Sequence, residues 1–303
     1  MVEVPASPIR IPLGRSGLEV APLGWGMWRF AGADVGAARA RIDAALEAGC
    51  TLFDTADIYG LGTEGGFGAA ESLLGRVLAG APSLRGRMVL ATKAGIEPGT
   101  PYNSSADYLV GACEASLRRL GVDHVDLLQV HRPDLLAHPE QVARAFDALY
   151  RAGKIRAAGV SNYTVAQTRA LLGYLAMPLA SVQPEYSALA LEPLADGILD
   201  LALERGIGVL AWSPLAQGRL AGAGADARGA RVIGVLDAIA AREGVARSAV
   251  ACAWVMAHPS HPVPLIGSQS PPRIIEAAAA CRVVLSRADW YRVLEASRGE
   301  RMP

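Results

Sequence analysis

Long apolar runs are missing from this chain. Nowhere in its 303 residues does an uninterrupted stretch approach the roughly 18 that a membrane-spanning helix needs. The opening residues, MVEVPASPIRIPLGRSG, hold no apolar h-region, so no secretory signal is expected and the expected compartment is the cytoplasm. Excess charge is missing too: 29 basic and 29 acidic residues leave no field to draw in nucleic acid or an anionic membrane. Paired cysteines are also absent. Cys50, Cys113, Cys252 and Cys281 are far apart with no CxxC, and read as reduced structural residues. The partner expected is a small molecule, with the chain acting as a monomer or a weak homo-oligomer.

What is present is an alternation. Short apolar runs read as strands at Val20–Gly26, Thr51–Asp54, Met88–Lys93, Val125–Val130, Ile155–Val160, Leu179–Gln183, Ile207–Trp212 and Val263–Ile266. Helical patterns follow them at Val35–Ala48, Ala69–Leu78, Ser105–Leu120, Pro139–Arg151, Thr164–Leu175 and Pro193–Arg205. Val232–Arg242 with Arg247–Ala257, then Pro272–Ala280, complete the series, and Arg287–Ser297 is an additional last helix. Apolar strands alternating with amphipathic helices imply a parallel sheet covered by helices. Eight such units with no polar linker predict an α/β fold, one (β/α)8 TIM barrel spanning residues 1–303 as a single domain. Ile9–Val20, with Gly14 and Gly17 around a polar turn, predicts an N-terminal hairpin plugging the barrel's bottom. The Gly- and Ala-rich segment Ala216–Ala230 reads as a loop over a site.

Two stretches imitate a Rossmann fingerprint. Gly206–Ala211 fits GxGxxA but enters a strand, whereas a phosphate-binding turn must leave a strand and open a helix. Gly222–Ala227 is a low-complexity match. A better anion site is 266–273, IGSQSPPR. There Gly267, Ser268 and Arg273 follow the last strand, where β/α barrels bind phosphate; an ordinary capped helix with a surface arginine is the alternative.

Catalytic groups of such barrels stand at the C-terminal ends of strands. Applied here, that rule gathers Asp54, Asp57 and Tyr59 after strand two, Lys93 after strand three, and His131 with Arg132 after strand four. It adds Ser161 and Asn162, then Gln183, then Trp212 and Ser213 from the next three. Charged residues that end apolar strands are costly unless they are used. A tyrosine has a pKa of about 10, high for acid–base work near neutrality, and a Lys93 ammonium beside Tyr59 is expected to lower it. Asp54 would pair with Lys93, and His131 would orient a carbonyl or help relay the proton, depending on its tautomer. No side chain delivers hydride, so a nicotinamide is implied, stacked on Trp212 with its amide held by Ser161, Asn162 and Gln183.

These residues resemble the aldo-keto reductase family, and within it the bacterial predicted oxidoreductases. The resemblance runs through TLFDTADIYG (51–60), VLATKAGI (89–96), VDLLQVHRPD (125–134), GKIRAAGVSNYT (153–164), SVQPEYS (181–187), GVLAWSPLAQGRL (208–220) and PLIGSQSPPRIIEA (264–277). It implies metal-independent, reversible reduction of an aldehyde or ketone with NADP(H). It makes Asp54, Tyr59, Lys93 and His131 a catalytic tetrad and gives Ser213, Leu215 and Gly218 to the pyrophosphate. Arg273 goes to the 2′-phosphate and Glu276 to the adenine side. Gly267 stands where many relatives carry Lys or Arg, and Ala277 where they often carry Asn, so the NADP preference rests largely on Arg273. The stretch LGTEGGFG (61–68) is an added glycine-rich segment that would reshape the pocket. Trp28 and Arg132 are the substrate candidates by position. Arg132 could pair with an acidic substrate or, as the commoner alternative, locally with Asp134, and Trp25 and Trp290 read as core.

Two other functions compete. A nicotinamide-binding accessory or redox-sensor subunit would carry an added interaction segment, and none is evident. A metal-dependent hydrolase would converge several histidines on the strand ends, but His124, His138, His258 and His261 fall in helices or beside them.

Overall fold

The computed structural model of the chain describes residues 10–222 and 226–303. It opens with a hairpin of β1 (Ile11–Pro12) and β2 (Glu19–Val20), followed by β3 (Gly24–Gly26), α1 (Val35–Glu47), β4 (Leu52–Asp54) and α2 (Ala69–Gly80). Next come β5 (Val89–Ala94), α3 (Ala106–Leu120), β6 (Val125–Val130), α4 (Pro139–Arg151), β7 (Ile155–Ser161) and α5 (Val165–Leu172). The second half continues with β8 (Leu179–Gln183), α6 (Ile198–Arg205), β9 (Gly208–Ala211), α7 (Ala227–Glu243) and α8 (Arg247–Met256). β10 (Val263–Ile266), α9 (Pro271–Ala277) and α10 (Arg287–Arg298) end it. β3 through β10 close into one parallel barrel, β10 pairing with both β9 and β3, so the fold is a TIM barrel with an N-terminal hairpin and a C-terminal helix.

The strand period of two decides what fills this barrel. Leu52, Ala91, Leu127, Ala157, Leu210, Val263 and Leu265 form an apolar layer with the hairpin's Ile11, Leu13 and Val20. The hairpin therefore packs onto the barrel interior, as expected. Two residues further along three strands, the same inward face carries Asp54, Lys93 and Gln129, and the register pairs Lys93 with Gln129. The intervening residues Phe53 and Leu128 pack outward, against the helices. Inward alternation thus stacks a polar layer on an apolar one.

Local chemistry sets the helix ends. Asp34, Ser105 and Asp226 cap α1, α3 and α7, while Thr164 and Ser286 form capping boxes on α5 and α10. Gly206 ends α6 with φ 64°, the left-handed cap its position implied. The helix expected at Pro193–Arg205 is interrupted: a 3-10 turn covers Glu192–Leu194, and Gly197, at φ 84°, precedes α6. The first expected strand also divides, Val20 joining the hairpin and only Gly24–Gly26 the barrel. α7 starts five residues before the expected Val232 because Asp226 caps it, which shortens the expected loop 216–230; residues 223–225, in that loop and in the weaker GxGxxA match, lie outside the described ones. Pro272–Ala280 resolves into α9 and a 3-10 turn, Ala278–Arg282.

All four cysteines are free, three of them buried, and burial pushes the Cys50, Cys113 and Cys252 thiols up to about 12. Trp25 is fully buried, and Trp290 stacks on Trp254 at 5.0 Å and 9°. No helix among the described residues is long and apolar enough to cross a membrane.

Candidate active site

The polar layer meets the C-terminal mouth of the barrel around one buried ammonium. Lys93 Nζ donates to Asp54 Oδ2 at 2.5 Å, to the Thr55 carbonyl at 3.0 Å and to the Tyr59 hydroxyl at 3.1 Å. Its side chain is fully buried and Asp54 is 2% exposed, so this is a desolvated ion pair that needs every remaining lone pair satisfied. Gln129 Nε2 and Gln183 Nε2 supply that, each donating to Asp54 Oδ1 at 3.1 Å. Gln129 escaped the sequence reading. Its signal was present in the strand alternation, two positions past inward-facing Leu127.

Tyr59 is delivered by a tight turn after β4. Its N–H donates to the Ala56 carbonyl, and its own carbonyl accepts from Ala70 N at the start of α2, both at 3.1 Å. Gly60 makes that approach possible: φ is 106°, and a Cβ there would stand 2.6 Å from Ala69 Cβ. The His131 ring meets Tyr59 edge-on at 5.7 Å, and Trp28, 68% exposed, lies 6.0 Å from it on the open side. Tetrad and aromatic neighbours thus converge on one mouth from β3, β4, β5 and β6.

The electrostatics differ in part from expectation. Burial raises the Tyr59 phenol above its ordinary pKa; the Lys93 charge pulls it down, but Asp54 opposes that pull and the balance stays raised. The net lowering anticipated from Lys93 is therefore not found. Burial also weighs against the Lys93 ammonium, yet Asp54 and Tyr59 outweigh it and hold the lysine charged. Burial, then the Lys93 and Arg132 charges, hold His131 well below the usual histidine range, so its imidazole is neutral. Its Nδ1 is buried without a partner.

The residues expected around a nicotinamide form a connected set. Asn162, in the left-handed region at φ 60°, donates Nδ2 to the His131 carbonyl (3.2 Å) and Ser161 Oγ (2.8 Å). Its Oδ1 accepts from Trp212 Nε1 at 3.0 Å, and Ser161 Oγ donates to the Gln183 carbonyl at 2.9 Å. Beyond Trp212 the chain holds Ser213, Ala216, Gln217 and Gly218 all at positive φ, with Leu215 between them. Strain concentrated in this way is characteristic of ligand-handling segments. After the neighbouring strand β10, Gly267 has neither a positive φ nor any atom within 4 Å of where a Cβ would stand, so open space rather than packing lies there. The adjoining Ser268 carbonyl accepts from Trp25 Nε1 at 2.9 Å, while Gln269 Oε1 is buried without a partner. Arg273 is exposed with no carboxylate within 4.0 Å among the described residues, and Glu276 Oε1 accepts from Ser248 Oγ at 2.9 Å. These observations fit a dinucleotide: a pinned aromatic platform, a strained loop and an unpaired guanidinium around open backbone. Gly206–Ala211, the other fingerprint imitation, enters β9 as predicted.

The profile of the Aldo/keto reductase family matches residues 22–298. The chain belongs to that family. Over its whole length it is 51% identical to a 6-dehydroglucose reductase of Novosphingobium aromaticivorans, all of which is covered. A 6-dehydroglucose reductase of Agrobacterium fabrum is 37% identical over 93% of this chain and 96% of its own. A thermostable aldo-keto reductase solved with the inhibitor epalrestat shares the fold, with a TM-score of 0.82 at 24% identity, over 95% of this chain and all of that one. This aldo-keto reductase is thus an oxidoreductase of carbonyl groups, in a family that generally works with NAD(P)H. Among the described residues no cluster of three or more His, Cys, Asp or Glu is arranged to hold a metal ion.

Proposed function

We propose that the enzyme, as one barrel domain, reduces an aldehyde of the sugar type with NADPH, Tyr59 giving the proton to the carbonyl oxygen. The observation that carries this reading is the direction of one hydrogen bond. Lys93 Nζ is the donor and the Tyr59 hydroxyl the acceptor, at 3.1 Å, which leaves the phenol's own hydrogen free for a substrate. A phenol raised above its ordinary pKa by burial is fully protonated at neutral pH, the form reduction requires. As the proton leaves, the Lys93 ammonium faces the developing phenolate, and Asp54 keeps that ammonium charged and in place. The neutral His131 has Nε2 to orient the carbonyl oxygen.

NADPH, when bound, supplies the hydride. Trp212, Ser161, Asn162 and Gln183 would hold its nicotinamide end. Ser213, Leu215, Gly218, Gly267 and Ser268 would line its pyrophosphate, with Arg273 and Glu276 at the adenosine. The Gln183 Nε2 group is committed to Asp54 and Gln129, which leaves its Oε1 as the end for the carboxamide. The sugar-type substrate is suggested by the relatives named 6-dehydroglucose reductase.

The test is NADPH oxidation followed with 6-dehydroglucose for wild type and Tyr59→Phe. Loss of the phenol proton should cost about 10²- to 10⁴-fold in kcat. Equal turnover by the two proteins would remove Tyr59 from the role.

A further inference from the structure

Arg132 follows His131 at the end of β6, at the mouth of the barrel. The local pair with Asp134 does not form. Asp134 Oδ2 accepts from Ser104 N and its Oδ1 from Leu136 N, both at 2.9 Å, so that carboxylate shapes its own loop. Among the described residues Arg132 has no hydrogen bond and no carboxylate within 4.0 Å, although its side chain is half-buried. Its guanidinium carbon stands 5.6 Å from the Trp212 ring centroid. That ring is itself fixed through Asn162 to the His131 carbonyl, so the guanidinium rests against a rigid surface. Its charge is felt at both groups that handle the carbonyl, drawing the Tyr59 phenol and the His131 imidazole downward.

A guanidinium at the mouth whose donor fork no protein group occupies can meet the oxygens of a bound substrate. Its planar pair of N–H groups matches two oxygens held side by side, which a lysine cannot do. We infer that Arg132 determines substrate choice by gripping acceptor oxygens on the carbon chain beyond the carbonyl, so that oxygen-rich aldehydes are preferred to plain aliphatic ones. Two sources share that chemistry, neighbouring hydroxyls and an acidic substituent. The inference rests on the carbonyl-reducing reading of this mouth and adds to it the residue that recognises the substrate's oxygens.

The experiment measures kcat and KM with NADPH for D-glyceraldehyde, D-glyceraldehyde 3-phosphate and butanal, in wild type, Arg132→Met and Arg132→Lys. Methionine keeps an apolar stem against Trp212 and loses the fork; lysine keeps the charge. In Arg132→Met, the ratio of kcat/KM for an oxygenated aldehyde over butanal should fall about 10- to 100-fold, chiefly through KM. If that fall includes glyceraldehyde and lysine does not restore it, hydroxyls are the recognised group. If it is confined to the phosphorylated aldehyde and lysine restores it, the acid is. A ratio unchanged in Arg132→Met, or an equal loss on all three substrates, overturns the inference while leaving the reductase reading intact. A wild-type enzyme that oxidises NADPH with none of the three, nor with 6-dehydroglucose, overturns that reading itself.

Discussion

Lys93 Nζ lies 2.5 Å from Asp54 Oδ2 and 3.1 Å from the Tyr59 hydroxyl, donating to both. One buried cation therefore neutralises a strand-end carboxylate and presents itself to the acid. Burial raises Tyr59, and Lys93 is the main influence that keeps its conjugate base within reach.

Replacing Lys93 with Met should damage stability as well as rate. Asp54, 2% exposed, would keep two amide donors but lose its counter-charge. Breaking a buried pair from one side typically costs about 3–5 kcal/mol. Urea unfolding measures this, and the double variant Lys93→Met with Asp54→Asn should recover much of the loss while remaining catalytically impaired. A single variant as stable as wild type would show that folding does not depend on Lys93 as the counter-charge of Asp54.

The pH profile of reduction should be flat through neutrality. Tyr59 must carry its proton, and burial holds its pKa above the ordinary value of about 10. His131 must stay neutral, and its pKa lies well below the ordinary 6.5. Activity therefore falls at high pH, as the phenol deprotonates, and in acid, as His131 gains a proton. A break in kcat/KM centred between pH 7 and 9 would contradict both assignments.

Asp57 is a different kind of buried acid. Fully buried, both its oxygens lack partners, while nearby Glu71 is taken by Arg119 at 2.7 Å and Thr92 Oγ1 at 2.5 Å. Burial and the Glu71 charge raise its pKa well above the usual range. The folded state then holds a proton that the unfolded chain releases above about pH 4. Stability should fall with rising pH, by up to about 1.4 kcal/mol per unit, until the folded pKa is passed. Asp57→Asn should remove that component of the slope, seen as melting temperatures that separate from wild type as pH rises. Parallel curves would place the proton elsewhere.

Arg273, exposed and without a carboxylate within 4.0 Å among the described residues, is the residue proposed to distinguish the two cofactors. Arg273→Ala should weaken NADPH by about 10- to 100-fold and leave NADH nearly unaffected, as expected for loss of a charge-assisted contact to phosphate. Fluorescence titration of both dinucleotides measures the ratio, and an unchanged ratio would take Arg273 out of the role.

Much of this was legible in the sequence. The β/α rhythm and the strand-end positions of Asp54, Lys93 and His131 are encoded by neighbours along the chain, and periodicity reads neighbours directly. Less legible were features fixed by distant partners. The Pro193–Arg205 pattern gave no sign that Gly197 would turn left-handed, and the Arg132–Asp134 spacing suggested a pair that Ser104 and Leu136 pre-empt.

By itself, then, the sequence determined which side chains reach the barrel mouth, because strand alternation and the end of each strand are local properties. Only the tertiary structure decided their charge states and pairings. Gln129 and Gln183 meet Asp54 across separations of 75 and 129 residues. The Tyr59 pKa is a balance between burial and Lys93, and burial exists only once the barrel has closed.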